Sequence, residues 1–438
     1  MKSGMVDFAK MKLTKGSTTK DKDAVIAAIS LRIILDFDIS RESARACEER
    51  LVESHMRVVF AVPDHLEFLR SGTPSEPLLA EAAAQFLNED PESMFRHNAP
   101  DKLADLLKDG LLARGERGEM VVRLLWTLAH DAAIDQYDKS DSKLIYHRPV
   151  RLLDWLTALI APTWHSLVLE AKPVADPDGM TLKDAFEDVY LNFSHFARAD
   201  DYMVIRRELL WVSLIRGFAY QCADNQKSTD LITAMHHGGL EAPISAESTS
   251  PLHGQIKNRV TKTDVLVDPH VDGRPFKDLP TFSIVHDVGL QKNQVYPVKE
   301  LRGDDRKENI HVRHYQIHIE GCSHETYAVI PKEKNEVYSL LLAATKLDHD
   351  FPRNKFPANR AALIRLKPAF SAKDASSSLE WVNDAVSPTV EKGNGKARAT
   401  PPVTPIASSS REPQPATGKR EANRPQPVTG PKRQKTWV

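Results

Sequence analysis

The chain has 438 residues, with 59 Lys and Arg against 60 Asp and Glu and a formal net charge of −1. That length is enough for two or more hydrophobic cores, and the charge balance argues against a surface coated for general nucleic-acid binding. Three well-separated cysteines (Cys47, Cys222 and Cys322) without a CxxC pair exclude a disulfide framework or zinc ribbon and suit a reducing compartment.

The opening stretch, "MKSGMVDFAKMKLTKGSTTKDKD", is lysine-rich and lacks an apolar run. Residues 1–22 therefore read as a disordered basic leader and not as a secretory signal. From 23 to 200 the pattern is helical. "DAVIAAISLRIILDF" places apolar residues at helical spacing after an Asp that can cap. "SRESARACEERLVESHMRVVF" starts on Ser with early Glu residues. "GERGEMVVRLLWTLAHDAAIDQY" and "HRPVRLLDWLTALIAPTWHSLVLEA" continue the theme without strand alternation. The longest apolar patch, "WLTALIAP", is too short to span a bilayer. A soluble intracellular protein with a helical N-terminal region is expected.

After residue 200 the texture changes to α+β, over 201–385. A helix at "DDYMVIRRELLWVSLIRG" precedes a hairpin, "GFAYQ" and "DLITAM" around the turn-forming "ADNQKS". "LHGQIKNRV", "TFSIVHDVGL", "NIHVRHYQIHI" and "TYAVIP" read as further strands, and "NEVYSLLLAATKLDHD" as a helix. From 386 to 438 Pro, Ser, Thr, Gly and basic residues dominate, so this tail is expected to be disordered. Between Ala385 and Val438 ten basic residues face three acidic ones, which leaves the preceding body acidic.

Within "GQIKNR" strand alternation puts Gln255 and Lys257 on one face and Ile256 on the other. Asp230 opens the preceding strand. Glu208 sits among Val204, Ile205, Trp211 and Val212 at helical spacing, so a carboxylate is expected on an apolar stripe, which is costly unless something polar or metallic meets it. This order (helix with Glu, hairpin with Asp, strand with Gln-x-Lys) resembles the PD-(D/E)XK, restriction-endonuclease-like core in its Q-x-K variant, over roughly residues 202–290.

The resemblance implies a nuclease-like mixed sheet and metal-dependent phosphodiester hydrolysis of DNA. It assigns Mg²⁺ or Mn²⁺ to Asp230 and Gln255, the attacking water to Lys257 and a supporting carboxylate to Glu208. More broadly, "LARGERGEMVVRLLWTLAHDAAI", "VYLNFSHFARADD" and "QCADNQKSTDLI" look similar to a lineage-expanded family of basidiomycete fungal proteins, which brings no activity with it. The alternative is a non-catalytic interaction protein that keeps the same sheet.

The histidines of "HVRHYQIHIEGCSHE" split between two strand faces and read as a polar outer face, and those of "MHHGG" read as loop residues. In the tail, Lys419 and Arg420 precede Lys432, Arg433 and Lys435 across a proline-bearing spacer. This is similar to a bipartite nuclear-import signal, which implies an import carrier as partner and a nuclear location.

Overall fold

Helices come first because Ala, Leu and Ile recur at helical spacing through the first third of the chain. The structure, a computed structural model, describes residues 2–343 except 19–20, 63, 65–69, 90–93, 114–116, 138–143, 202–204, 225, 227, 260, 263–264, 266, 269–278 and 299–312. The expected disordered leader is instead helix α1 (Lys2–Thr14), which buries Val6 and Leu13. Lys12 faces outward while those two apolar side chains find α2 (Lys22–Ile33) and α4 (Pro77–Leu87) to pack on.

Helix α2 is capped by Asp21, whose side chain accepts from the backbone N–H groups of Asp23 and Ala24. Between α2 and α4 lie α3 (Glu42–Ser54) and an antiparallel pair, β1 (Val58–Ala61) with β2 (Arg70–Gly72). Helices α5 (Phe95–Lys108) and α6 (Arg117–Ile134) follow. Nearly every residue of α6 is buried, as befits a helix enclosed on all sides.

The region expected to be purely helical also contributes strands. β3 (Val150–Arg151), β4 (Val189–Leu191) and β5 (His195–Arg198) are too short to show a period, yet all join the main sheet. Short helices α7 (Leu152–Leu159), α8 (His165–Leu169) and α9 (Leu182–Ala185) lie between β3 and β4. Then come α10 (Arg207–Arg216), β6 (Phe218–Gln221), β7 (Leu231–His237), β8 (Thr249–Lys257), β9 (Thr281–Asp287), β10 (Gln294–Pro297), β11 (His314–Glu320) and α11 (Asn335–Leu342).

These strands form an α+β fold around a mixed nine-stranded sheet, ordered β10-β11-β9-β8-β7-β4-β3, with β6 also paired to β7 and β5 paired to β6. The described residues all fall within one compact unit. "TYAVIP" is not a strand: Tyr327, Val329 and Ile330 fill the core from a turn, held by an isolated bridge between Ile160 and Tyr327.

The hairpin β6–β7 and the pair β7–β8 are antiparallel, whereas β8, β9 and β11 run parallel to one another. One face of the sheet carries Gly254, Ile256, Ile284, His286, Ile317 and Ile319 and packs on α6. There Trp126 donates to Nε2 of His286 at 3.0 Å, which leaves Nδ1 of His286 to donate to the Tyr327 hydroxyl at 2.8 Å. The opposite face carries His253, Gln255 and Lys257 of β8, Ser283 and Asp287 of β9, and His314, Gln316, His318 and Glu320 of β11. Its β7 end is covered by α10, through Leu210 and Leu214 against Ile232 and Ala234. No described helix is long and apolar enough to cross a membrane.

Candidate strand-end site

Asp230 stands one residue before β7, and the antiparallel register of β7 with β8 sets it beside Gln255. Its Oδ2 accepts a hydrogen bond from the backbone N–H of Ile256 at 2.6 Å and another from the Gln255 side-chain amide. Gly254 accepts the Asp230 backbone N–H at 2.9 Å, so Gly254 and, by alternation, Ile256 turn both backbone groups toward the β7 side. Asp230, Gln255 and Lys257 are thus brought together at one end of the sheet. Burial raises the Asp230 pKa, opposed by the Ile256 N–H, the Lys257 charge and the Gln255 amide.

Glu208 is placed differently from the expectation. It lies in the first turn of α10 and is exposed, not on the apolar stripe, because Leu210, Ser213 and Leu214 form the buried side of that helix. No hydrogen bond joins it to Asp230, Gln255 or Lys257 among the described residues.

Two further carboxyl groups share this end of the sheet. Parallel register pairs Lys257 of β8 with Asp287 of β9, and Asp287 with Glu320 of β11. Glu320 is almost fully buried and well satisfied. It accepts from Lys262 at 2.7 Å, from the Tyr296 hydroxyl at 2.8 Å and from the Gln294 amide at 2.5 Å. These donors hold its pKa below the usual value although burial pushes it up. Lys262 also sits 4.7 Å above the Tyr296 ring centroid, and its bonds to Glu320 and Tyr296 raise its pKa.

The arrangement is a row of polar groups at the carboxyl ends of three parallel strands, a place where α/β sheets commonly receive ligands. Asp287 and Glu320 escaped the sequence reading. Both "TFSIVHD" and "YQIHIE" end on an acid, and that shared ending was the available signal.

The histidines correct the expectation too. His314 and His318 are buried, the first 2.9 Å from the Thr281 hydroxyl and the second 2.9 Å from the Gln316 amide, so the face is no solvated exterior. His236 and His237 belong to β7 and not to a loop, and His237 contacts the Ser250 hydroxyl at 2.7 Å. His311 and the tail residues Lys419, Arg420, Lys432, Arg433 and Lys435 lie outside the described residues.

Among the described residues no group of three or more His, Cys, Asp or Glu is placed to hold a metal ion. Asp230 nonetheless fits a weakly held hard cation. It is a half-buried carboxylate with the Gln255 amide beside it and the Ile256 backbone turned toward it. Mg²⁺ keeps several waters and needs only one or two protein oxygens.

Residues 17–144 match a family model described as a domain of unknown function, DUF8736. That span covers α2 through α6 and none of the strand-end residues. No curated protein matches the chain, and no solved structure matches it.

Proposed function

We propose that this is a nuclear protein that hydrolyses phosphodiester bonds of DNA at the β7–β8 end of its sheet, using Mg²⁺ or Mn²⁺. The observation that carries the reading is the pairing of Asp230 with Gln255 and Ile256 through one Asp230 oxygen, with the Lys257 charge acting on the same carboxyl group. The order α10–β6–β7–β8, followed by a strand parallel to β8, also agrees with the PD-(D/E)XK resemblance. On this reading the wider chain belongs with the basidiomycete fungal family.

A divalent cation here would polarise the phosphate and acidify a bound water. Asp230 and the oxygen of Gln255 would hold it, and the Ile256 backbone keeps Asp230 in place. Lys257 directs its ammonium at the attacking water or at charge developing on the phosphate. Glu208, exposed on α10, takes no part in this set. The basic clusters Lys419-Arg420 and Lys432, Arg433 and Lys435 would engage an import carrier.

A second reading has its own support, since the Asp230 oxygen that would face a cation already accepts two donors. It is a non-catalytic nuclear interaction protein that keeps the sheet. Incubating the purified chain with plasmid DNA and Mg²⁺ or Mn²⁺ separates the two. Nicking that falls about 100-fold in Lys257→Ala supports the enzyme. Nicking that is unchanged in the variant removes these residues from the chemistry, and no nicking by the parent chain leaves the scaffold. For localisation, replacing Lys432, Arg433 and Lys435 with Ala in a fluorescent fusion should leave the protein in the cytoplasm.

A further inference from the structure

Three carboxyl groups reach the same end of the sheet, and they differ in what they already hold. Asp230 receives two donors, and Glu320 receives Lys262, Tyr296 and Gln294. Asp287 is only 3 % exposed, and among the described residues its side chain accepts no hydrogen bond, with Oδ1 buried and unpartnered. Its backbone carbonyl is occupied, taking the N–H of Gly321 at 3.0 Å, so the residue is fixed through its backbone. A buried acceptor without a donor is costly, and natural structures rarely keep one without a use.

The position narrows that use. Lys257 is the register partner of Asp287 on β8, and Glu320 is its partner on β11. Arg259 and Lys262, in the segment after β8, also act on it electrostatically. From the helical side of the sheet, Tyr327 senses its charge.

We propose that Asp287 is the proton acceptor of the strand-end site and takes the proton of the water that Lys257 directs at a phosphodiester. The assignment rests on the hydrolytic reading above. In the step, the water oxygen forms a bond to phosphorus while its proton passes to the Asp287 carboxylate. The bond from phosphorus to the leaving oxygen breaks, and that oxygen takes a proton from solvent water. The products are a phosphomonoester and a free hydroxyl, and Asp287 returns its proton to bulk water.

Burial, then the neighbouring Glu320 charge, raise Asp287 to about 6, against the pull of Arg259, Lys257 and Lys262. A carboxyl group of that strength is ionised at neutral pH and still binds a proton readily, as a general base requires.

The test is Asp287→Asn in the full chain, whose amide keeps the shape and removes the basicity. DNA nicking is followed from pH 5 to 8, with circular dichroism to check folding. The expected result is a loss of about 100-fold at pH 7 and disappearance of the limb that rises through a midpoint near 6 in the parent. Proton binding by the metal-free proteins supplies a second readout. The parent should take up about 0.8 proton more than the variant between pH 7 and 5, as a group with a midpoint near 6 does.

If the parent nicks DNA and Asp287→Asn keeps its rate and pH profile, the assignment falls while the hydrolytic reading stands. Equal proton uptake by the two proteins overturns it as well. A parent that never cleaves DNA takes down both.

Discussion

Arg32 and Asp131 join two helices through a bidentate ion pair that solvent hardly reaches, with N–O distances of 3.0 and 2.7 Å. The same guanidinium donates from Nε to the Ser194 carbonyl at 2.6 Å, between β4 and β5, and so ties the helical layer to the sheet. Burial still raises the Asp131 pKa despite the attraction of Arg32. Removing Arg32 therefore leaves the buried Asp131 charge with only the neutral Asn88 amide, at 3.2 Å, to meet it. Arg32→Ala is expected to cost about 3–5 kcal/mol, and the double variant Arg32→Met with Asp131→Leu to regain most of it. Urea-unfolding midpoints of both variants check this, and a single variant as stable as the parent would show that the pair is not strained by burial.

Gly254 opens the "GQIKNR" stretch because Trp126 lies against it. A Cβ there would come within 2.8 Å of the Trp126 ring and 3.2 Å of the Leu231 Cβ. Trp126 has little room to yield. It is fully buried, packs edge-on to Trp155 at a centroid distance of 5.3 Å and donates to His286. Gly254→Ala should overpack this core and destabilise by about 1–3 kcal/mol. A melting temperature equal to that of the parent would mean that the indole moves freely.

Much of the sheet was legible in the sequence, for reasons that particular strands make plain. β6 and β7 flank a turn-rich segment, β8 alternates Leu252, Gly254 and Ile256 with polar His253, Gln255 and Lys257, and β9 and β11 carry enough β-branched or aromatic residues to read as strands. β3, β4 and β5 were not legible, since two to four residues hold no period and only pairing with distant strands makes them strands. "TYAVIP" misled because Tyr327, Val329 and Ile330 are apolar for core filling and not for pleating. At the site, Asp230 just before β7 and Gln255 on β8 belong to strands joined by a single connection. The link from Lys257 through Asp287 to Glu320 depends on a parallel register between strands far apart in the chain, which local pattern does not encode.

Three buried histidines make the fold sensitive to acid. Burial alone lowers His286 to about 3, and burial, followed by nearby cationic groups, lowers His130 and His195 to about 3. Their unfolded values are near 6.5, so below that pH the unfolded chain takes up protons that the folded one refuses. Stability is then lost as pH falls from about 6.5 toward 3, by about 2 kcal/mol per group at pH 5. His130 isolates the effect, since among the described residues neither buried ring nitrogen has a hydrogen-bond partner and the ring packs on Phe193 with centroids 4.9 Å apart. His130→Phe should flatten the fall in melting temperature between pH 7 and 5 relative to the parent. An unchanged slope would exclude His130 as a contributor.

Glu320 acts on Asp287 through charge, so neutralising it should weaken the proton affinity of Asp287. The Glu320 carboxylate is the second contribution, after burial, to the raised Asp287 value of about 6. Glu320→Gln keeps an oxygen for Tyr296 and removes the negative charge, and it also frees the Lys262 ammonium that had been paired there. Both changes favour ionised Asp287, so its midpoint should move down toward the ordinary carboxylate range without reaching it, because burial remains. Proton-uptake curves of the metal-free Glu320→Gln protein measure this directly. For stability the sign is equally defined. A carboxyl group with a raised folded pKa favours the folded state at low pH, and that contribution is lost as pH rises through the folded value. In Glu320→Gln, the part of the stability curve due to Asp287 should therefore decline at a lower pH than in the parent, and a midpoint that moves upward would refute the coupling of the two carboxyl groups.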